Sequence, residues 1–520
     1  MTDVATGTGT VAGDDNRITG DILKVAGVVV LGAIMSILDI TVVNVALPTF
    51  QTTFGTDGHP LQYSTVAWTV TAYTLALATV IPLTGWAADR FGTKRLYMTA
   101  LALFAIGSAL CAMASSINML IGFRVLQGLG GGMLMPLGMT IMTRAAGPKR
   151  MGRLMAILGV PMLLGPIGGP ILGGWLIDAA SWHWIFLINV PIGVIALVYA
   201  FFALPKDSPH PSESFDFVGM LMMSPGLALF LYGVSSIPAE GRVGAPKVLI
   251  PGIIGLVLVV SFVFYSFRPK HPLLDLRLFR NRNLAVSIIT MFLFAVAFFG
   301  GLLLVPTYFQ QIRGESVLQA GLLVAPQGIG AMLTMPIAGA LSDKFPVGRI
   351  VPFGLVLIAG GMAALTQITS TTSYTTLIAI LFVMGLGMGS TMMPIMTSAL
   401  KTLRSIEVAR GSTLLNITQQ IASSIGVAVM SVILTNGLKH AANGGAAIQS
   451  RQNPGIAQQL GPSGIKTGLA NAAHAFAHTY WVAFALVLVT VVAALFLPRK
   501  QEESHLLDDD QAEAVPVVMH

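Results

Sequence analysis

Apolar residues come in blocks of about 20 along nearly all of this 520-residue chain, each long enough to cross about 30 Å of hydrocarbon at 1.5 Å per helical residue. Water cannot solvate such a surface. Charged residues make up only 10% of the chain, where soluble domains carry about 25%. Counting blocks between charged or turn-rich breaks gives about 14 spans, centred near Met35, Tyr73, Phe104, Leu129, Leu164, Ile195, Leu227, Leu256, Ala297, Ala331, Leu357, Met384, Ser424 and Val487. The expected fold class is an all-α polytopic membrane protein.

An even number of spans puts both termini on one side. Membrane insertion retains Lys and Arg in short cytoplasmic loops, so their distribution identifies that side. About 22 of them fall in the termini and the even-numbered connections, such as Arg144 to Arg153 and Arg268 to Arg282, against about six in the others. Both termini are therefore expected to be cytoplasmic. The net charge of +7 follows from this topology and requires no nucleic-acid partner. Residues 1–23 and 498–520 read as cytoplasmic tails, the first polar, disordered and without a cleavable leader. Gly437 to Ala473, rich in Gly, Ala, Asn and Gln, is expected to be the longest outer connection and flexible.

The chain repeats itself weakly. GWAADRFGTKR (Gly85 to Arg95) follows the second span and GALSDKFPVGR (Gly339 to Arg349) the tenth. Two related halves with a site between them is the plan of secondary transporters. Six helices per half gives an N-terminal bundle at 24–204 and a C-terminal bundle at 284–497. Two inserted helices then occupy 205–283. In the first turn, Asp89 can accept hydrogen bonds from amides at a neighbouring helix N-terminus, while Arg90, Lys94 and Arg95 offer partners for acids or lipid phosphates. Contacts of this kind are individually weak, as a latch that breaks each cycle requires, and Gly85, Gly92 and Asp343 of the repeat join the same candidate set. A loop that only sets topology is the plainer reading.

Ionisable groups inside hydrocarbon cost about 2.5–3.5 kcal/mol at a helix centre, so each invites a functional hypothesis. Asp39 lies deep in the first span with Ser36 one turn before it, while Thr41, Asn44 and Pro48 fall on another face. A helix polar on two sides is expected to be enclosed by other helices and to line a cavity. Asp39 is the candidate proton carrier; a hydrogen-bonded packing carboxylate is the alternative. Arg124 is the only base placed within a span, with Gln127 and Gly128 on its face and Gly131 and Gly132 allowing close helix approach. Either Arg124 stabilises ionised Asp39 or it is a structural arginine tied to carbonyls.

In the fifth span Gly165, Gly169 and Gly173 recur every four residues, beside Gly174, and leave a flat stripe for another helix. Pro166 and Pro170 are expected to bend it into a tight interface that seals one side of a cavity. Phe298, Phe299, Tyr308, Phe309 and Gln310 stand near the outer end of the ninth span, either as substrate walls or as an interfacial aromatic belt. The candidate cavity residues are Ser36, Asn44, Gln127, Phe298, Tyr308 and Gln310. Cys111 is the single cysteine, which excludes an internal disulfide or a cysteine-based metal site, and neither metal nor cofactor is expected. The chain carries no GxxxxGK loop, zinc motif or nucleophile elbow, so neither ATP-driven nor enzymatic chemistry is expected.

Taken together these stretches resemble the major facilitator superfamily, and within it the 14-helix drug:proton antiporter branch that includes QacA-like and EmrB-like exporters. LDITVVNVALP (Leu38 to Pro48) looks like the first-helix motif of that branch and GWAADRFGTKR like the loop signature of the superfamily. Arg124 to Gly132 is similar to its fourth-helix motif and GPIGGPILGG (Gly165 to Gly174) to its antiporter motif. WHWIFLINVPIG (Trp182 to Gly193) and HPLLDLRLF (His271 to Phe279) match further stretches of the branch. Thr93 stands where the family is usually basic, and His183 where it usually has Arg.

The resemblance implies two six-helix bundles, two extra central helices and alternating access in a bacterial plasma (inner) membrane. It implies Asp39 in proton handling, Arg124 in coupling, Asp89 in conformational control and the Gly/Pro helix in antiport direction. The expected function is proton-coupled export of small amphipathic or cationic drugs and toxic compounds. Export of one metabolite, lipid or siderophore, and a non-transporting receptor, are the alternatives. The implied partners are a drug-like small molecule, protons and membrane lipids, with a periplasmic adaptor and outer-membrane channel as in EmrB-like relatives.

Overall fold

The computed structural model describes residues 19–55, 61–147, 150–206, 214–240, 242–451 and 454–500. The apolar blocks are helical, as they must be where no water can bond the backbone. The N-terminal helices are α1 (Gly20–Thr53), α2 (Tyr63–Phe91), α3 (Thr93–Ala112), α4 (Ile117–Ala146), α5 (Met151–Ala179) and α6 (Trp184–Ala203). Then come α7 (Phe217–Glu240) and α8 (Pro246–Tyr265). The last six are α9 (Arg282–Arg313), α10 (Val317–Lys344), α11 (Val347–Leu365), α12 (Tyr374–Lys401), α13 (Val408–His440) and α14 (Pro454–Ala494). Each expected span centre falls inside its own helix. Among the described residues 13 helices are long and apolar enough to cross a membrane. The other is α5, where several side chains, including those of Pro166 and Pro170, lie outside the described ones.

In the first group α1 packs on α5, α2 and α3 pack on α4, and α6 packs on α1 and α3. In the last, α9 packs on α13 and α14, α10 on α12, and α11 on α12 and α14. The groups meet through α2 and α4 on α13 and through α5 on α10 and α12.

The intervening pair, α7 and α8, packs mainly on itself, and small residues allow the close approach: a Cβ at Gly233 would lie 2.7 Å from the Gly252 amide nitrogen. Helix α7 also bears on both α2 and α13, one from each group, and Tyr232 stacks on Trp68 with ring centroids 5.6 Å apart. Asp216 ties the pair to the following loop. Its carboxylate accepts from Gly219 N at 2.8 Å, Tyr265 OH at 2.9 Å and Leu273 N at 3.0 Å. Removing an acceptor that serves buried donors costs about 1–3 kcal/mol. Asp216→Ala is thus expected to lower the melting temperature of the purified protein; an unchanged melting curve would contradict the role.

The stretch from Gly437 to Ala473, read from sequence as a long connection, is largely helical. Helix α13 continues to His440, a short helix covers Gly444–Gln449, and α14 begins at Pro454 but is broken at Gly461 (φ 63°), with only residues 452–453 outside the description. Alanine is the best helix former, and the glycines permit contact: Gly468 sits against Asn443 and Ala447. The tails, residues 1–18 and 501–520, lie outside the described residues.

Candidate functional site

Asp39 and Arg124 meet. Arg124 donates through Nη1 to Asp39 Oδ2, and both side chains are fully buried. The pair is completed by neighbours from five other positions. Gln127 Nε2 donates to Asp39 Oδ1 at 2.8 Å and to Ser108 Oγ at 2.6 Å, and Asn189 Nδ2 donates to the same Oδ1 at 3.3 Å. Arg124 Nε donates to the Thr69 carbonyl at 2.9 Å, Nη1 also to Gln127 Oε1 at 2.7 Å, and the guanidinium lies 4.1 Å from the centre of the Tyr73 ring. Nη2 is buried without a partner among the described residues. Helices α1, α2, α3, α4 and α6 thus enclose one ion pair in an apolar surround, where an unbalanced charge would be very costly.

Close helix approach makes this possible. A Cβ at Gly128 would lie 2.5 Å from the Tyr73 carbonyl oxygen, and one at Gly107 2.7 Å from the Gln127 Cα. These glycines bring α4 against α2 and α3. From the other side, Gly165 packs on Ile37 and Gly169 on Thr41, so the glycine stripe of α5 lies against α1; nothing stands within 4 Å of a Cβ at Gly174.

A cavity of about 620 Å³ lies between the two helix groups. Ser36, Ile40 and Asn44 line it from α1, and Phe298 and Phe299 from α9. Tyr73 links this wall to the ion pair, since its hydroxyl is 3.2 Å from Ser36 Oγ while its ring covers Arg124. Ser36, Asn44 and Phe298, three of the candidate cavity residues, thus line this space. Gln127 instead belongs to the enclosed network. Tyr308 and Gln310 fall outside the lining: ten residues beyond Phe298 is about 15 Å further along a helix. There the Tyr308 hydroxyl donates to the Thr369 carbonyl at 2.5 Å, and Gln310 is exposed.

Sequence reasoning missed several groups. Asn189 sits in the quoted WHWIFLINVPIG stretch, where an amide amid apolar neighbours was a usable signal, and Ser108 was another. Helix α13 was read only as a span, yet Asn416, Gln420, Ser423 and Val427 recur at helical spacing and line the cavity. Val234, Ser235 and Pro238 line it from α7, which no periodicity announced.

One end of the interface between groups is closed by polar contacts. Asp89 lies 3.5 Å from Arg410 Nε and 4.0 Å from Arg144 Nη2. Asp343 accepts from the Gly152 amide at 2.7 Å, in the first turn of α5, and from Arg153 Nε at 3.1 Å. Asp343, the counterpart of Asp89 in the repeat, thus contacts the N-terminus of α5. Gly85 lies against Thr413 and Ala409, and Gly92 turns the chain at φ 92°, a region that favours glycine. Lys94 donates to the Phe201 and Leu204 carbonyls at 2.6 and 2.8 Å, closing the end of α6, and Arg90 and Arg95 are exposed. Arg144 Nη1 donates to Thr93 Oγ1 at 2.9 Å, and His183 stacks on Trp182. Ser412 Oγ stands 2.9 Å from Thr140 Oγ1 across the same interface.

Comparison with known proteins agrees with this architecture. The family model described as Major Facilitator Superfamily matches residues 29–427. The chain is similar to a multidrug resistance protein B homolog of Mycobacterium tuberculosis, 47% identical over 504 residues covering 94% of this chain and 92% of the relative. It is 31% identical over 429 residues to the multidrug export protein EmrB of Escherichia coli, covering 78% and 79% of the two chains. Among solved structures, the proton:xylose symporter XylE aligns with a TM-score of 0.60 at 15% identity over 94% of this chain and 98% of that one, a likeness of fold alone.

Proposed function

Because this chain belongs to the major facilitator superfamily, we propose that it is a multidrug transporter that exports small amphipathic or cationic compounds in exchange for protons by alternating access. It is a multi-pass membrane protein and a transporter in fold, not an enzyme. The proposed setting is a bacterial inner membrane with both termini cytoplasmic, and the proposed domain division is two six-helix bundles around the inserted α7 and α8.

The observation that carries the reading is the enclosed Asp39 and Arg124 pair set behind a cavity wall. Protonating Asp39 would leave Arg124 buried without a counter-ion, which the low-dielectric surround penalises heavily. Proton uptake therefore favours a rearrangement that supplies Arg124 with water or another partner. Tyr73 and Ser36 transmit it to the cavity, because any movement of α1 against α2 alters the wall they share. Movement of the two groups must also break and remake the contacts of Asp89 and Asp343, the proposed latch.

The test is reconstitution in liposomes with an imposed pH gradient, following proton flux and efflux of one cationic and one neutral fluorescent compound. Wild type is expected to couple the two fluxes and Asp39→Asn to lose the coupling. Coupled flux that survives in Asp39→Asn removes Asp39 from the proton path. A wild type that moves neither dyes nor protons across a broad panel would overturn multidrug export.

A further inference from the structure

The wall of the cavity contains amides and no charge. Among the described residues that line it none is acidic or basic, and its strongest polar groups are Asn44 on α1, Gln327 on α10 and Asn416, Gln419 and Gln420 on α13. Asn416 is satisfied, since its Nδ2 donates to the Ser412 carbonyl at 2.8 Å. Gln327 is not. Its residue is only 5% exposed, and its Oε1 is buried with no partner among the described residues. Native chains satisfy nearly all buried polar groups, so this oxygen calls for a partner, and a turn of the side-chain amide within the cavity wall presents it to a molecule bound there. Nor is Gln327 free to retreat. Gly385 of α12 lies so close to the Gln327 backbone carbonyl that even a Cβ there would collide with it, leaving α10 pinned at this point.

We propose that Gln327 is the principal polar contact for the transported molecule, and that this molecule is bound as an uncharged amphipath presenting an N–H or O–H to the Gln327 amide. The proposal rests on the transporter reading above and narrows its substrate class. A permanently charged molecule would enter this wall without a counter-ion and lose its hydration uncompensated. The buried ionised groups Asp39 and Arg124 neutralise each other behind Tyr73 and do not line the cavity. Phe298, Phe299, Met388 and Met392 supply apolar and polarisable surface for the body of the molecule.

The test is equilibrium binding to the full-length protein in nanodiscs, with the signal of protein-free nanodiscs subtracted. The probes are N-phenyl-1-naphthylamine, which is neutral with one N–H, its N-methyl derivative, which lacks it, and the permanent cation tetraphenylphosphonium. Wild type is expected to bind the secondary amine about fivefold or more tightly than the N-methyl compound, as one hydrogen bond implies. Gln327→Leu is expected to erase that preference, Gln310→Leu, outside the lining, to keep it, and Gln327→Glu to raise affinity for the cation. Equal binding of the two amines by wild type overturns the proposal, as does a preference that survives in Gln327→Leu. Binding of the cation alone also overturns it while leaving the exporter reading in place, and a folded wild type that binds none of the three overturns both. If Gln327→Leu does not fold, the wild-type comparison of the two amines decides.

Discussion

Arg124→Leu is expected to abolish transport and to destabilise the protein by about 3–5 kcal/mol, the cost of stranding one member of a buried ion pair. The variant leaves Asp39 with only the amides of Gln127 and Asn189 as donors, in a site walled by Tyr73 and Phe186. Adding Asp39→Asn removes the stranded charge, so the double variant should recover much of the lost stability. It should remain inactive, because neither the proposed proton carrier nor its counter-ion is left. Thermal melting in nanodiscs and efflux from proteoliposomes read the two effects separately. If Arg124→Leu is as stable as wild type, the charge pair is not what holds α1 to α4. If the double variant still couples proton flux to efflux, the pair is not the coupling element.

A branched side chain at Gly339 is expected to hold open the end of the molecule that is now closed. A Cβ at this position would lie 2.5 Å from the Gly152 carbonyl oxygen and 2.9 Å from Ala156 Cβ, so α5 and α10 would have to separate where Asp343 accepts from the Gly152 amide. Overpacking costs about 1–3 kcal/mol, enough to shift an equilibrium between closed and open ends about 5- to 150-fold. Gly339→Val should therefore fold but lose most of its transport. Spin labels on the exposed ends of α3 and α10, at Arg95 and Lys344, should report a longer mean distance in the variant. A wild-type distance together with wild-type transport would show that the close approach of α5 and α10 is not part of the cycle.

How far each of these groups was readable from sequence depends on what marks it. Asp39 and Arg124 stand out because a charge in an apolar block is rare and costly. Gly165, Gly169 and Gly173 stand out by their spacing, though not the helix they would meet, which is α1. Proximity along the sequence does not make a shared wall: about 15 Å of helix separates Tyr308 from Phe298, and Gln310 lies further still. Gln327 left no mark at all: one amide in a glycine- and alanine-rich span looks like any tolerated polar residue. Only the combination of a buried, unpartnered oxygen with a place in the cavity wall singles it out.

Hydropathy summed over about 20 residues does not depend on which way a helix faces, and so the sequence by itself determined the class, the number and order of the spans and the places where charge enters the hydrocarbon. Which polar groups meet depends on the rotation of each helix about its axis and on how closely its glycines let a neighbour approach. Asp39 lies 85 residues from Arg124 and 150 from Asn189, and their union is set by the packing of α4 on α2 and α3 and of α6 on α1. The same packing places α7 across the seam and turns Gln327 into the cavity wall. Those relations arise between helices, and no pattern within a single helix contains them.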